Sequence, residues 1–416
     1  MNDVLPDRRA AGISAARPLD PIESLFISLN YFVGYSVRCR GRLDRGALDA
    51  AYQALCAGHP VLAGRVEPRD GRHFLVPGAG GGPVRVRGAA ADDGPPATEP
   101  GDQYRGLSAL EVAEHADGAH VTLLVHHCVA DASAALGLLA ELWDHYTRLA
   151  ATGAPRPVRP GPLPAGPVAV LRRYGYEFAP PAGLAAPAPD GPAPAPDRPV
   201  GCPDAPGPPP LVRRLVLTRA ETAALSARAR ACGVTLNGLL SGALLRANAR
   251  ARGWDAADSP VLLYYPVDLR TRLSPPVQRT EVTNLLGIAL VVVGFARTLR
   301  ERLRQDLESG RAFQMLPRFP ERDAGQDAAA PVLSITNWGV IPRLPAPEEL
   351  VISDFASTWP TAPPMRPTQP CGYVVHSFDG RLAVESLVPA GGGTVPAVEE
   401  AAAAAVREDL LAAAHA

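Results

Sequence analysis

Two adjacent histidines, followed four positions later by an aspartate, form the most chemically informative segment of the chain. The segment His126-His127-Cys128-Val129-Ala130-Asp131 follows the apolar run His120–Val125 and precedes a helical pattern. Loops that follow strands often carry catalytic groups. A histidine titrates near neutral pH, so it can remove a proton from an alcohol or an amine. Because neighbouring residues of an extended chain point to opposite sides, one histidine can face a cavity while the other is buried.

Other interpretations of this segment stay open at the level of sequence. Both histidines can be core residues with satisfied hydrogen bonds, and Asp131 can act as the N-cap of the following helix. A metal site is disfavoured, because histidines on opposite faces seldom share one ion and no third ligand lies nearby. A serine hydrolase is disfavoured as well, because the chain has no G-x-S-x-G and Ser133 lies in the start of the helix.

Strand and helix patterns place this segment in the first half of the chain. Apolar residues recur at helical spacing over Leu43–Gly58, where Asp44 is positioned to cap the helix. We expect strands over Val61–Val66 and His120–Val125, and a helix over Asp131–Leu149. The histidine pair is therefore predicted to lie between a strand and a helix.

The second half of the chain also alternates strands and helices. A capping box at Thr218–Glu221 opens a helix that ends near Cys232, and a second helix is predicted over Thr235–Arg252. A hairpin is expected around Asp379-Gly380, and a closing helix over Thr394–Ala414. The remaining patterns predict strands over Leu211–Leu217, Val261–Pro266, Gly287–Val293, Val332–Thr336, Gly372–Phe378 and Leu382–Leu387. The predicted class is α/β or α+β in two halves of similar size.

A proline-rich stretch separates these halves. Residues 156–210 have too few large apolar side chains to fold alone, so we predict a linker with one short helix near Val168–Phe178. The predicted organisation is an N-terminal lobe over residues 1–155, the linker, and a C-terminal lobe over residues 211–416.

The composition excludes several classes of function. The 416 residues contain 41 lysines and arginines, and all of these are arginine, so a lysine Schiff base, pyridoxal phosphate on lysine and a Walker-type phosphate loop are excluded. The formal net charge of −1 offers no reason to expect binding to nucleic acid.

The cysteines and the apolar segments bear on location. The six cysteines are scattered and form no C-x-x-C pair, so neither a zinc site nor a redox motif is indicated. So few cysteines in a large chain are typical of a reducing compartment. Met1–Arg17 has no apolar core of a signal peptide, and the apolar run Leu285–Ala296 is too short to span a bilayer. We expect a cytoplasmic protein without a transmembrane segment.

The histidine segment resembles the HHxxxDG signature of the condensation-domain superfamily, which includes chloramphenicol acetyltransferase and polyketide-associated acyltransferases. Ala132 stands where that signature has glycine, and its methyl side chain takes up space in the loop that glycine leaves open. Further blocks with this resemblance are Gly41–Asp44, His59–Leu62, Gly233–Leu240, Pro266–Arg270, Thr283–Gly287 and Ser334–Gly339. The resemblance covers residues 18 to about 410 and is closest to the standalone enzymes that esterify phthiocerol.

The resemblance implies two chloramphenicol-acetyltransferase-like lobes in a V, with a tunnel at their interface. His127 would be the general base in that tunnel and His126 a structural residue. Asp131 would form a salt bridge, for which Arg270 is the candidate partner. Candidates for the oxyanion site or the tunnel wall are Ser334, Thr336, Asn337, Trp338 and Asn284, although Asn284 and the Asn337-Trp338 pair can equally be structural.

The implied reaction is acyl transfer from a thioester to a hydroxyl in polyketide biosynthesis or related secondary metabolism. The donor would be coenzyme A or the phosphopantetheine arm of an acyl carrier protein, with no metal, bound cofactor or covalent intermediate. An arginine-rich rim would suit an acidic carrier, with Arg213, Arg214, Arg270, Arg272 and Arg279 as possible contributors. The alternatives are an amide-forming condensation enzyme and a catalytically silent carrier-binding module. We expect a monomer.

Overall fold

The structure is a computed structural model of the chain. It describes residues 16–87, 97–99, 101–176, 209–254, 261–292, 304–305, 308–309, 332–361, 372–388 and 396–415. Most of the proline-rich stretch, residues 177–208, lies outside the described residues. The part of the stretch that is described contains the predicted short helix, here Pro167–Arg173.

The first half of the chain forms strands that pair mostly with antiparallel neighbours, and helices that cover them. The elements in chain order are β1 Arg17–Pro18, α1 Pro21–Ser28, β2 Phe32–Gly41, α2 Arg45–Gly58, β3 Arg65–Arg69, β4 Arg72–Val76, β5 Arg85–Arg87, β6 Ser108–His115, β7 Gly118–His126, α3 Ala132–Thr152 and α4 Pro167–Arg173. The predicted helices α2 and α3 are confirmed, and Asp44 and Asp131 cap them by accepting from the backbone of Ala47 and Ala134.

A five-stranded sheet carries the histidine segment. Its strand order is β12-β2-β7-β6-β5, where β12 is the strand Leu350–Thr358 from the second half of the chain. Strand β2 pairs antiparallel with β7 so that Phe32 lies opposite His126. Helices α2 and α3 pack together on this sheet around a core that contains the fully buried Trp143 and Leu139. The end of β7 therefore lies in a paired sheet that packs against the buried core.

The second half forms a six-stranded sheet with the order β10-β9-β11-β13-β14-β8. The elements of the second half, in chain order, are β8 Leu211–Val216, α5 Arg219–Ala231, α6 Leu236–Arg252, β9 Leu262–Asp268, a 3-10 turn Arg270–Arg272, β10 Leu286–Val292, β11 Val332–Val340, β12 Leu350–Thr358, β13 Gly372–Phe378, β14 Arg381–Val388 and α7 Pro396–His415. The capping box of α5 is present, and Asp379 and Gly380 form the hairpin turn with positive φ, as predicted. The mixed α/β class is confirmed.

One strand crosses between the halves. Leu350–Thr358 (β12) follows β11 in the chain but pairs with β2 of the first sheet, with Phe355 opposite Val37. Sequence analysis did not predict this strand. A strand from the second half of the chain therefore belongs to the sheet of the first half. The lobe boundaries at 155 and 211 remain predictions.

The strand predicted over Val61–Val66 is wrong for its first part. The chain turns there, because Leu62 donates to the carbonyl of His59 and Gly64 donates to the carbonyl of Val61. A turn that satisfies its own backbone groups in this way cannot pair along a sheet. Strand β3 begins only at Arg65.

Within the described ranges, no helix combines the length and the apolar character needed to cross a membrane.

Candidate active site

His126 is the last residue of β7, and His127 follows it in a turn. His126 is fully buried. Its Nδ1 accepts from the backbone N–H of Cys128 at 3.1 Å, and Phe32 meets its ring edge-on at 4.7 Å. Burial lowers the pKa of His126 to about 3, so the ring is neutral and serves the packing of this loop.

His127 lines a cavity. Its ring stacks on Phe26, with centroids 4.3 Å apart, and lies 5.4 Å from the ring of Tyr31. The backbone N–H of His127 donates to the carbonyl of Tyr31 at 2.7 Å. Burial lowers the pKa of His127 below its ordinary value of 6.5, although its hydrogen bonds and the charge of Asp131 oppose this. The ring is therefore neutral at pH 7 and able to accept a proton.

Asn284 holds His127 at two points and thereby selects its tautomer. The Nδ2 of Asn284 is 2.8 Å from the carbonyl oxygen of His127, and its Oδ1 is 3.1 Å from Nδ1 of the ring. A carbonyl oxygen only accepts, so the amide nitrogen must face it and the amide oxygen must face the ring. In the neutral ring Nδ1 then carries the proton, and Nε2 keeps the lone pair that a base needs.

Asp131 joins the start of α3 to the segment that contains Asn284. It forms an ion pair with Arg270, 2.7 Å from Oδ2 to Nη1, and that oxygen also accepts from the N–H of Leu285 at 2.9 Å. Arg270 is only 2% exposed and also contacts Asp268 at 3.2 Å. The side chain of Asp131 is 0% exposed and caps the helix. The ion pair thus connects the start of α3 to the 3-10 turn that contains Arg270.

A second buried carboxylate supports the same segment from the other side. Glu23 is 0% exposed and accepts from the hydroxyl of Thr283 at 2.6 Å and from Arg17 at 2.6 and 2.8 Å. It also accepts from the backbone of Asp20, which completes a capping box on α1. Sequence reasoning did not identify Glu23, although the Asp20-x-x-Glu23 spacing was a readable signal.

The cavity has a volume of about 390 Å³ and receives residues from both sheets. Strand β2 contributes Val33 and Tyr35, and α3 contributes Ala132, Ser133 and Leu136. Alternate residues of β11 point into it, because side chains of a strand change sides at every residue. These β11 residues are Val332, Ser334, Thr336, Trp338 and Val340, and Asn337 joins them next to the register shift at Asn337–Gly339.

The other candidates from sequence analysis occupy distinct positions. Ser334, Thr336, Asn337 and Trp338 line the cavity, and Asn284 lies behind His127 with 1% of its surface exposed. The amide of Asn337 is engaged, since it donates to Asn237 and accepts from the N–H of Gly339. In the described part of the chain, no hydrogen bond engages the hydroxyls of Ser334 and Thr336.

Sequence reasoning missed the aromatic residues around His127. Phe26, Tyr31 and Trp359 come from three separate segments, and each lines the cavity. Their apolar patterns are typical of any core, so no local signal marked them as site residues.

The expected arginine rim is wrong for two of its members. Arg270 is buried in the ion pair with Asp131, and Arg214 is held by both oxygens of Asp354 at 2.6 and 2.9 Å. Arg213 pairs with Glu400 at 3.3 Å. Arg272 and Arg279 are exposed, and Arg279 lines the cavity. Among the described residues, no group of three or more histidine, cysteine or acidic side chains is arranged to hold a metal ion.

Comparison with known proteins identifies relatives over most of the chain. The phthiocerol/phthiodiolone dimycocerosyl transferase of Mycobacterium tuberculosis is 32% identical over 82% of this chain and 85% of its own. A family model described as the C-terminus of such transferases matches residues 206–387. The structure of polyketide synthase associated protein 5 from M. tuberculosis aligns with a TM-score of 0.77 and 27% identity, covering 97% of this chain and 98% of that one.

A more distant structure shares the fold. The first condensation domain of the calcium-dependent antibiotic synthetase, in complex with a substrate analogue, aligns with a TM-score of 0.67 at 18% identity, over 97% of this chain and 98% of that one. Together with the relatives above, this confirms the expected acyltransferase fold. The chain is an acyltransferase and belongs to the family of the phthiocerol/phthiodiolone dimycocerosyl transferases.

Proposed function

We propose that this enzyme transfers an acyl group from a thioester directly to a hydroxyl, with His127 as the general base. The observation that carries the proposal is the Asn284 clamp, which leaves Nε2 of a neutral, cavity-lining imidazole free. A base whose pKa lies below neutrality stays unprotonated at pH 7 and needs no activation.

The proton moves through a single nitrogen. Nε2 of His127 removes the proton of the acceptor hydroxyl as its oxygen attacks the thioester carbonyl. The tetrahedral intermediate collapses, the carbon–sulfur bond breaks, and the sulfur leaves with the proton that His127 had taken. The imidazole returns to its starting state, so no acyl-enzyme is required.

Ser334 and Thr336 are the proposed donors to the oxyanion. Both hydroxyls line the cavity, and neither makes a hydrogen bond within the described residues. Asn337 is a weaker candidate, because its amide already serves Asn237 and Gly339. Loss of one oxyanion donor typically costs about 2.7–4 kcal/mol of transition-state stabilisation. Ser334→Ala and Thr336→Val, each measured for kcat, test which hydroxyl contributes.

The proposed donor is an acyl thioester on a phosphopantetheine arm. Arg279 lines the cavity and is exposed, and Arg272 is exposed on the turn nearby in sequence. Positive charge at this position suits a phosphate or an acidic carrier protein. Comparison of the same acyl group on coenzyme A and on an acyl carrier protein would separate the two donors by kcat/KM.

The decisive test is the His127→Ala variant in an ester-forming assay. We expect a folded protein whose kcat is about 10²–10⁴-fold lower than that of the parent. His73, a partly exposed histidine of β4 outside the cavity lining, provides the matched control as His73→Ala. Full turnover by the His127 variant would remove the base from the mechanism. Paired alcohol and amine acceptors of equal size, analysed by mass spectrometry, distinguish ester from amide formation.

A further inference from the structure

The wall of the cavity beside His127 is unusually rich in aromatic rings. Seven of its 25 lining residues are phenylalanine, tyrosine or tryptophan, whereas these types make up 6% of the chain. They include two of the four tryptophans. Small-molecule pockets are lined mainly by hydrophobic and aromatic side chains, so this lining is typical of a binding pocket whose rings can contact a ligand.

Trp338 lies at the centre of the aromatic wall. Its ring is 5.1 Å from that of Tyr35 and 6.2 Å from that of Trp359, with interplanar angles of 31° and 35°. Its ring also lies 6.3 Å from the buried ring of His376, at an interplanar angle of 24°. Rings inclined to one another at these small angles present broad faces, which favour the stacking of another flat ring.

A buried polar network holds Trp359 in place. Its indole N–H donates to the hydroxyl of Ser357 at 2.6 Å, and that hydroxyl donates to Glu385. Glu385 is 0% exposed, belongs to β14 of the second sheet, and also accepts from the backbone of Ser357. The wall is therefore preformed by a link between the two sheets.

Two tyrosine hydroxyls of the wall have no partner within the described chain. Tyr31 is 4% and Tyr35 1% exposed, and both line the cavity. Burial raises the pKa of both phenols, so each stays protonated and is able to donate. A hydroxyl of the cavity lining that makes no hydrogen bond in the described chain is available to donate to an oxygen of a bound molecule.

The volume sets the size of the occupant. An apolar cavity of about 150 Å³ holds one benzene. The 390 Å³ of this cavity therefore suits roughly two or three rings. The acceptor hydroxyl and the thioester carbonyl must both reach His127, so two or three rings is the upper limit for the acceptor.

Building on the proposed function, we propose that the acceptor is a planar aromatic alcohol of two or three rings that carries a second oxygen attached to a ring. Its rings lie against Trp338, and the second oxygen accepts a hydrogen bond from the hydroxyl of Tyr35. Its reactive hydroxyl points to Nε2 of His127. Ser357 and Glu385 act as positioning residues for this wall.

The first experiment compares matched alcohols on the unmodified protein by isothermal titration calorimetry. The probes are 2-naphthaleneethanol and its fully saturated decahydro analogue. We expect the aromatic alcohol to bind about three- to tenfold more tightly, as ring stacking beyond area burial provides. A third probe, 6-hydroxy-2-naphthaleneethanol, should gain about fivefold more through its phenolic oxygen. Equal or stronger binding of the saturated alcohol would overturn the proposal.

Variants assign the preference to residues. Trp338→Leu should abolish the aromatic preference, and Tyr35→Phe should abolish only the gain from the phenolic oxygen. Trp254→Leu, which removes a tryptophan outside the cavity lining, should leave both preferences intact. Retention of the aromatic preference by Trp338→Leu would refute the stacking role.

A turnover assay separates failure of this proposal from failure of the proposed function. Esterification of the saturated alcohol as efficiently as the aromatic one would overturn the aromatic acceptor while the transfer reaction stands. Full activity of His127→Ala on either alcohol would overturn the general-base mechanism instead.

Discussion

Replacement of Asn284 by leucine tests whether the amide selects the reactive tautomer of His127. Leucine has nearly the shape of asparagine but removes the bonds to Nδ1 at 3.1 Å and to the carbonyl oxygen of His127 at 2.8 Å. The bond to Nδ1 favours the productive tautomer by about 1 kcal/mol, and the bond to the backbone carbonyl holds the amide that makes it, so about 2 kcal/mol is the upper limit of the loss. We expect kcat to fall by up to about 30-fold.

The pH profile gives this prediction its direction. The bond to Asn284 raises the pKa of His127, so its loss should move the acid limb of kcat/KM to lower pH. Asn284→Asp should do the opposite, because a carboxylate beside Nδ1 favours the imidazolium. A stopped assay of ester product across pH 4–9 reads both effects.

A matched variant controls for the loss of a buried amide. Gln103 is 4% exposed and donates to the carbonyl of Ile27 at 2.9 Å, outside the cavity lining. Gln103→Leu should lower stability but leave the acid limb in place. If Asn284→Leu kept kcat within twofold of the parent, or moved the limb upward, the assignment of the tautomer would be refuted.

Other expected outcomes concern stability and pH. The parent enzyme should keep a constant kcat/KM above about pH 6.5 and lose activity only below it, because burial lowers the pKa of His127; a limb centred above 7 would contradict this. Asp131→Asn should lower the free energy of unfolding by about 3–5 kcal/mol, since it leaves Arg270 buried with only Asp268 as a charged partner; urea denaturation measures it, and a loss below 1 kcal/mol would argue against the ion pair. Burial raises the pKa of Asp20 from 3.8 to about 6, so its contribution to stability is full below pH 4 and is lost as the pH rises through 6; urea denaturation at pH 4 and 7 should show this fall in the parent and a smaller one in Asp20→Asn.

The part of the site that lies in one short segment was predictable. The apolar run of β7 leads directly into the histidine pair, and the step from strand to helix makes Asp131 an N-cap. The capping box at Thr218 and the Asp379-Gly380 turn were equally readable. Each of these depends on interactions between residues a few positions apart, which local backbone geometry determines.

Contacts between distant segments were beyond local patterns. Asn284 reaches His127 across 157 positions, and its tetrapeptide neighbourhood is equally typical of a structural turn. The arginines proposed for a rim divide into buried ion pairs and exposed residues only once the acidic partners are in place. The return of Leu350–Thr358 to the first sheet was not predicted at all.

The sequence by itself determined the N-cap role of Asp131, the Asp379-Gly380 turn and the mixed α/β class, because hydrogen bonding and side-chain alternation over a few residues suffice for these. Only the tertiary structure decided which nitrogen of His127 is free, which aromatic rings surround it and which charges are buried. These features depend on the order in which strands join the sheets, and that order follows from packing of the whole core rather than from any single segment.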